Sequence, residues 1–426
     1  MNATICSMSY KYLLSHTISQ NAFANMVRTV LQIGIGFGGN YFIVRAISPE
    51  KLGIWALVFT FASFLNLADF GISTALIRYI ANNEKNRYKY FWTTISAYAV
   101  IGFLGLIVLL IAQWFFASYF FKDVTPDFLF IITVLVGAYL ALLGSTVTNT
   151  FNGLQMMRSA SIIEVLKSFL FYLFVLLTLP SLDLFAFSVG LIVSNLMAVV
   201  AGYGLLLFKI PLPFAYPDRK IFRQLFSFGS KSFGIQIVNQ LKGSYLKILT
   251  SRLFAIEFVA FVDLTQRIAG YFRQFLLSAI LPLLPAASAY HAKKQTQKIY
   301  RLYRFSLLAL TGLGGITTIA FIIFSPFIIS LWLGPEYTPV IRASQIISVA
   351  VFLNLLAGPG FSILQGIGKQ KPLLVTSVFG LIAFLVFTTI FAILYGFNGI
   401  FVGNIFAELA LAFGFLVWIW KTKPMA

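Results

Sequence analysis

Apolar runs of about 20 residues follow one another along most of the chain, and short polar connections separate them. Each run is long enough to cross the hydrocarbon core of a bilayer as an α-helix. The runs lack the period-2 alternation that is typical of a transmembrane β-barrel. The pattern predicts an all-α polytopic membrane protein with about 12 transmembrane helices, at roughly 23–46, 53–79, 91–118, 128–151, 162–180, 184–208, 232–253, 258–288, 304–332, 340–366, 373–395 and 399–420.

The connections between these helices alternate in charge along the chain. Every second connection belongs to one set, which carries nineteen lysine and arginine residues in total. The remaining connections carry only four lysine and arginine residues, together with several acidic residues. By the positive-inside rule the basic set is cytoplasmic, and both termini are expected on that same side. An odd number of helices would break this alternation, so the charge pattern favours twelve.

Composition supports a membrane protein and narrows its partners. The 426 residues are 59% hydrophobic and 10% charged, whereas a soluble domain is about 25% charged. The net charge of +19 would suggest nucleic acid in a soluble protein, but here positive-inside loops and anionic lipids account for it. We expect no nucleic-acid partner. Residues 1–21 do not resemble a signal peptide, so the first helix is expected to be retained.

The longest connection predicts a division into two lobes. It contains Pro211, Pro213 and Pro217, which favour an extended linker. The predicted parts are an N-terminal six-helix lobe (1–209), a cytoplasmic linker with an amphipathic segment (210–230) and a C-terminal six-helix lobe (231–426).

A weak internal repeat supports the division into lobes. A shift of 207 residues places Gln32 on Asn239 and Asn40 on Lys247. With six helices each, both lobes enter the membrane in the same direction. The lobes are therefore expected to be related by a pseudo-two-fold axis along the membrane normal, as in parallel-repeat transporters.

Basic residues inside predicted spans are the strongest functional signal. Lys242 and Lys247 lie within the apolar stretch 233–253. A charge at the bilayer centre costs about 2.5–3.5 kcal/mol on insertion scales, so such side chains normally face protein or a wet cavity. Arg28, Gln32 and Asn40 form a similar polar stripe on the first helix. Both stripes are expected to face a cationic space between the lobes, although Arg28 and Lys242 could instead extend to an interface.

Carboxyl groups inside the spans are candidates for ion coupling. Asp69 has no basic residue one turn away, and Arg28 or the lysines of the seventh helix are its expected partners. Asp263 and Arg267 form an i,i+4 pair that could simply neutralise itself. Glu408 lies near the middle of the last helix, where a buried carboxyl can hold a proton near neutral pH. Whether Glu408 relays a proton or only bonds a neighbouring helix is open.

Enzymatic and cofactor signals are missing from the sequence. It has no Walker P-loop, no Ser/His/Asp arrangement and no metal-ligand cluster, and its one cysteine and two histidines suggest neither a disulfide nor a metal site. We therefore expect no enzyme activity, no cofactor and no metal.

Three stretches resemble a known family. NYFIVRAISPEKLGIWALVFTFASFLNLADFGISTALIRYIA (40–81) is similar to the first hairpin of bacterial polysaccharide flippases of the Wzx type, FIISLWLGPEYTPVIRASQIIS (327–348) to their ninth-to-tenth helix turn, and LQGIGKQKPLL (364–374) to the basic loop that follows. These flippases belong to the multidrug/oligosaccharidyl-lipid/polysaccharide exporter superfamily. The resemblance covers the whole chain in length and helix count, and specific motifs cover about a fifth of it.

The resemblance implies a transport function in polysaccharide biosynthesis. A flippase of this type moves undecaprenyl-diphosphate-linked oligosaccharide, such as an O-antigen or lipopolysaccharide repeat unit, across the bacterial cell inner membrane. It works by alternating access and couples to a H+ or Na+ gradient, with other polysaccharide assembly proteins as further partners. The cationic stripes agree, because a diphosphate is attracted to lysine and arginine in a low-dielectric cavity.

The candidate site residues combine the stripes with this expectation. Candidate substrate-binding residues are Arg28, Gln32, Asn40, Asn66, Asn239, Gln240, Lys242, Lys247, Arg267 and Arg273. Candidate ion-coupling residues are Asp69 and Glu408.

Three other functions predict different sequence features. A drug or cation antiporter of the same superfamily should have an acidic lumen, whereas a membrane polymerase should have a sizeable external loop with catalytic groups. A non-transporting scaffold would not need buried charges.

Overall fold

A computed structural model describes residues 2–121, 126–277, 290, 295–366 and 370–421. Within these residues every regular element is a helix, either an α-helix or a short 3-10 turn, and irregular connections join the helices. The chain divides into two compact units, which are described separately. Unit 1 comprises 1–46, 61–117 and 126–236, and unit 2 comprises 47–60, 118–125 and 237–426.

Unit 1 is a packed group of long helices. Its helices are α1 (Asn2–Ala46), α3 (Ile72–Asn82), α4 (Arg87–Phe121), α5 (Phe128–Gly153), α6 (Met157–Leu182), α7 (Phe185–Lys209) and the first part of α8 (Arg219–Leu253). Helix α6 packs against both α1 and α7, and α5 packs against α7. Small residues allow close packing: Gly137 lies against Leu191, and Gly190 lies against Val175.

Unit 2 is built around the packing of its last helices. It contains most of α2 (Pro49–Ser63), the second part of α8, α9 (Ile256–Leu277), α10 (Thr296–Leu333), α11 (Thr338–Gly366) and α12 (Gln370–Lys421). Helix α11 packs against α9, α10 and α12. Gly396 has φ 65° and ψ −150°, which divides α12 into two helical segments. This break confirms the predicted division between 373–395 and 399–420.

The second predicted helix is wrong as a single element. Instead of one helix over 53–79, the structure has α2, a 3-10 turn (Phe64–Asp69), two left-handed residues and α3. Gly71 has φ 76°, and its backbone lies directly against that of Gly229. The carboxylate of Asp69 accepts a hydrogen bond from the backbone N–H of Ser73 and caps the new helix. A glycine with positive φ and a local cap therefore interrupt the apolar run.

The chain is a multi-pass membrane protein. Within the described residues, eight helical segments are long and apolar enough to cross a bilayer, and one of them, 371–418, contains the break at Gly396. The total of twelve spans and the pseudo-two-fold axis stay predictions. Residues 278–288 of the predicted eighth helix lie outside the described residues.

Candidate functional site

An ion pair joins two helices of unit 2. Nζ of Lys242 on α8 lies 2.9 Å from Oε1 of Glu408 on α12, and the side chains are 18% and 9% exposed. Asn354 on α11 donates from Nδ2 to the other carboxylate oxygen of Glu408 at 2.7 Å. The ring of Phe384 lies 5.2 Å from Nζ of Lys242. The charge on Lys242 is thus balanced by the carboxylate of Glu408.

A second charged cluster lies further along α8. Oδ1 of Asp263 on α9 is 2.6 Å from Nζ of Lys247, and Oδ2 of the same carboxylate is 2.7 Å from Nε of Arg267. Asp263 and Arg267 therefore form the expected i,i+4 pair, and the same carboxylate also forms an ion pair with Lys247. One carboxylate between two cations leaves a net positive charge in this cluster.

The two clusters together define the candidate anion site of unit 2. Their ionisable members are three bases, Lys242, Lys247 and Arg267, and two acids, Asp263 and Glu408. The excess of one base is the net charge that an anionic group would meet. Because every one of these side chains is less than a third exposed, the interactions are weakly screened by solvent.

Polar groups continue around these clusters. Gln240 donates to Oγ of Ser244 at 3.1 Å, and the hydroxyls of Tyr245 and Thr389 are 2.5 Å apart. Oδ1 of Asn404, one turn before Glu408, is buried and has no hydrogen-bond partner among the described residues. This part of unit 2 therefore contains neutral acceptors and donors that hydroxylated groups could use.

Asp69 has a different environment in unit 1. Its carboxylate accepts from the backbone and hydroxyl of Ser73 at 2.9 and 2.8 Å, from the hydroxyl of Tyr98, and from Nε2 of Gln236 at 3.1 Å. All of these donors are neutral. The expectation that Arg28 or a lysine of the seventh helix pairs with Asp69 is therefore wrong. Four neutral donors satisfy the carboxylate, and Asp69 joins α3, α4 and α8.

The polar stripe of α1 contacts α6. Nε2 of Gln32 donates to Oγ of Ser168 at 3.2 Å, and Nδ2 of buried Asn40 donates to the hydroxyl of Tyr172 at 2.9 Å. Arg28 is half-buried one turn before Gln32, and its Nε has no hydrogen-bond partner in the part of the chain that the structure describes. The contacts given for Gln32 and Asn40 tie two helices of unit 1 together.

The remaining candidates are on the surface of their units. Asn66 lies in the 3-10 turn, Asn239 lies on α8, and Arg273 lies near the end of α9, and all three are exposed. Sequence reasoning did not single out Asn354, Tyr98 or Gln236 as partners of the two coupling candidates. Asn354 could have been recognised from the sequence, because an amide side chain within an apolar run needs a hydrogen-bond partner.

Among the described residues, no group of three or more His, Cys, Asp or Glu side chains could hold a metal ion. The candidate site consists of ion pairs and an amide group on helices α8, α9, α11 and α12. Such a site can bind and release charged groups by exchanging counter-ions.

The fold is that of a known class of transporter. A multidrug resistance MATE family transporter of the MOP superfamily, in an inward-facing conformation, superposes with a TM-score of 0.72 at 17% identity, over 95% of this chain and 96% of that one. An outward-facing structure of such a transporter gives 0.68 at 16% identity, over 94% and 95%. These likenesses define an all-helical membrane protein with the MATE fold.

Sequence comparison gives the family. Residues 18–291 match the family model described as polysaccharide biosynthesis protein, and 235–396 match the MatE model. The chain belongs to the polysaccharide biosynthesis protein family, whose model matches more than half of its residues. It is 22% identical to a Shigella flexneri protein named as a candidate O-antigen transporter, over 83% of this chain and 86% of that protein. The resemblance seen in the sequence is confirmed.

Proposed function

We propose that this transporter is a flippase for undecaprenyl-diphosphate-linked oligosaccharide, the repeat unit of an O-antigen or another surface polysaccharide. It acts by alternating access in the bacterial inner membrane, with both termini in the cytoplasm, and other polysaccharide assembly proteins supply and use its substrate. The family and the Shigella relative support a substrate of this class. The observation that carries the proposal is the excess of one base in the charged clusters of unit 2.

The diphosphate binds through exchange of counter-ions in these clusters. Lys247 and Arg267 share the single carboxylate of Asp263, so an incoming diphosphate oxygen gains one cation without leaving the carboxylate unpaired. Hydrogen bonds between charged partners contribute about 1.5–3 kcal/mol each, roughly a 10- to 150-fold change in affinity. Nearby amide and hydroxyl groups, such as those of Gln240, Asn354 and Tyr245, bond the sugar hydroxyls, and the polyprenyl chain remains in lipid.

Glu408 couples substrate binding to a proton or a sodium ion. A cation that binds the carboxylate of Glu408 competes with Lys242 for it, which frees Lys242 for the diphosphate. By linkage, a diphosphate on Lys242 then raises the affinity of Glu408 for the cation by the same factor. Asn354 holds the second carboxylate oxygen in place during the exchange. Asp69 is the second ion-coupling residue, and because its partners are neutral donors, a cation that binds there frees no base.

Translocation in proteoliposomes tests the function. Lys247→Met removes one cation but leaves the Asp263–Arg267 pair, so the variant is expected to fold. We expect it to translocate the lipid-linked oligosaccharide at least tenfold more slowly than the native chain. Lys371→Met, a matched change of an exposed lysine at the start of α12, should leave the rate unchanged. Equal rates in all three proteins would remove Lys247 from the substrate site.

A drug or cation antiporter is the second candidate. The MatE model covers 235–396, which includes Lys242, Lys247 and the Asp263–Arg267 pair. A cationic drug would meet an excess of positive charge there, which disfavours it electrostatically. Efflux of a cationic dye from the same proteoliposomes, with no translocation of the lipid-linked oligosaccharide, would favour the antiporter instead.

A further inference from the structure

A short segment of unit 1 is fastened to the beginning of α4. Residues 210–218 connect α7 to α8 without regular structure. Nε1 of Trp92 donates to the carbonyl of Pro213 at 3.1 Å, and the backbone N–H of Asp218 donates to Oγ1 of Thr93 at 3.1 Å. One turn into α8, Gln224 accepts a hydrogen bond from Tyr90 at 3.0 Å. The segment therefore has a defined position and presents a fixed outer surface.

Aromatic side chains on this segment and at the end of α7 are directed outwards. Phe208, Phe214 and Tyr216 are 91%, 67% and 82% exposed. Phe214 is held from one side by an edge-to-face contact with Trp92, at 5.1 Å between ring centroids. Phe208 lies one residue before the end of α7, which is long and apolar enough to span a membrane. Aromatic rings at the ends of spans typically lie at the level of the lipid headgroups.

Exposed bases lie beside these rings. Lys209, Arg219, Lys220 and Arg223 are all exposed. The acid within this segment, Asp218, accepts from the backbone N–H of Lys220 at 2.7 Å and so caps the first turn of α8. The net charge of 209–223 is thus +3. The apolar side chains of the same turn, Ile221 and Leu225, are buried in unit 1, so the basic face is the one left to the outside.

We propose that this linker surface, defined as Phe208, Lys209, Phe214, Tyr216, Arg219, Lys220 and Arg223, binds the headgroups of anionic phospholipids. Each base near an anionic membrane surface contributes about a fivefold gain in affinity. The aromatic rings insert at the same level and distinguish a bilayer surface from a soluble anion. The leaflet is the one on the side of the basic connections, which the positive-inside rule predicts to be cytoplasmic.

The test measures lipid binding and does not require transport. The full chain, purified in detergent, is titrated with phosphatidylglycerol or phosphatidylcholine, and bound lipids are counted by native mass spectrometry. The native chain should bind phosphatidylglycerol more tightly, and 1 M NaCl should reduce the difference. The triple variant Arg219→Gln, Lys220→Gln and Arg223→Gln should lose roughly fivefold per base, about a hundredfold together.

A matched triple variant provides the control. Lys298→Gln, Arg301→Gln and Arg304→Gln removes three exposed bases from the first turns of another long helix, α10. It should bind phosphatidylglycerol within about threefold of the native chain, because the proposal places the tight lipid site at the linker surface alone. An equal loss in both triple variants would overturn the proposal, because any basic surface would then suffice.

A second variant tests the aromatic side chains at constant charge. Phe214→Ser with Tyr216→Ser should weaken phosphatidylglycerol binding at least tenfold. Unchanged binding would overturn the role of the rings. Inorganic phosphate should not compete with the lipid, and competition at millimolar concentration would identify a soluble-anion site and overturn the lipid assignment.

Discussion

The ion pair between Lys242 and Glu408 makes a specific prediction about stability. Replacing Glu408 by alanine leaves the ammonium of Lys242, which is 18% exposed, without its carboxylate. Removing one partner of a buried pair typically costs about 3–5 kcal/mol, because the remaining charge is desolvated and unpaired. Asn354 also loses its acceptor, which adds about 1–3 kcal/mol. We therefore expect Glu408→Ala to be strongly destabilised.

A double variant separates the orphaned charge from the lost contact. In Lys242→Met with Glu408→Leu, no charge remains and the packing volume is nearly kept. This protein should be more stable than Glu408→Ala and should differ from the native chain mainly by the unpaired amide of Asn354, about 1–3 kcal/mol. The coupling free energy between the two positions follows from a double-mutant cycle that also includes the single variants Lys242→Met and Glu408→Leu.

Thermal unfolding provides the assay. Each protein is heated in the same detergent, and the folded fraction is followed by fluorescence-detected size exclusion. The control is Glu84→Ala, which breaks a pair with Arg87 at 3.5 Å in which Glu84 is 85% exposed, and it should change stability by less than about 1 kcal/mol. A Glu408→Ala protein that unfolds at the native temperature, or a double variant less stable than Glu408→Ala, would refute the reasoning.

Three further predictions concern the same elements, and thermal unfolding checks each. Gly71→Ala should destabilise unit 1 by more than about 1 kcal/mol, because φ is 76° and the new Cβ would collide with Gly229, whereas Gly243→Ala, with open space around it, should not destabilise. Tyr98→Phe should cost about 1–3 kcal/mol by removing a donor to the buried carboxylate of Asp69, and no loss would contradict the hydrogen bond. Asp263→Asn should cost about 3–5 kcal/mol, because Lys247 and Arg267 lose the negative charge that they share. A variant as stable as the native chain would show that these two cations are not held together in a buried site.

The positions of most helices could be predicted from the sequence because hydrophobic length is a local property. The predicted helix 128–151 is α5 (Phe128–Gly153), and the predicted 184–208 is α7 (Phe185–Lys209). The interruption between α2 and α3 escaped this reasoning, because an apolar run hides a break that glycine conformation and capping produce. The sequence Asp69-Phe70-Gly71 was a signal, since an acidic cap and a glycine at close spacing favour a turn.

The charged residues inside the spans and the local pair of Asp263 with Arg267 could be predicted, but partners on other helices could not. Lys242 and Glu408 are 166 residues apart, and only the packing of α8 and α12 brings them to 2.9 Å. Single-sequence reasoning therefore overstated the free positive charge, because it counted bases without their counter-ions. For Asp69 the sequence suggested a basic partner, but the partners are hydroxyl and amide groups. Such neutral donors cannot be recognised from the distribution of charges along the sequence.

Direct binding of a diphosphate lipid tests the central claim, which is that the charged clusters of unit 2 hold an anionic headgroup. The affinities of undecaprenyl diphosphate and of uncharged undecaprenol are measured for the native chain, Lys247→Met and Lys371→Met in the same detergent. We predict that the native chain and Lys371→Met prefer the diphosphate at least tenfold, and that Lys247→Met loses most of this preference. Equal affinity of the native chain for the two lipids, or a preference that survives in Lys247→Met, would contradict the claim.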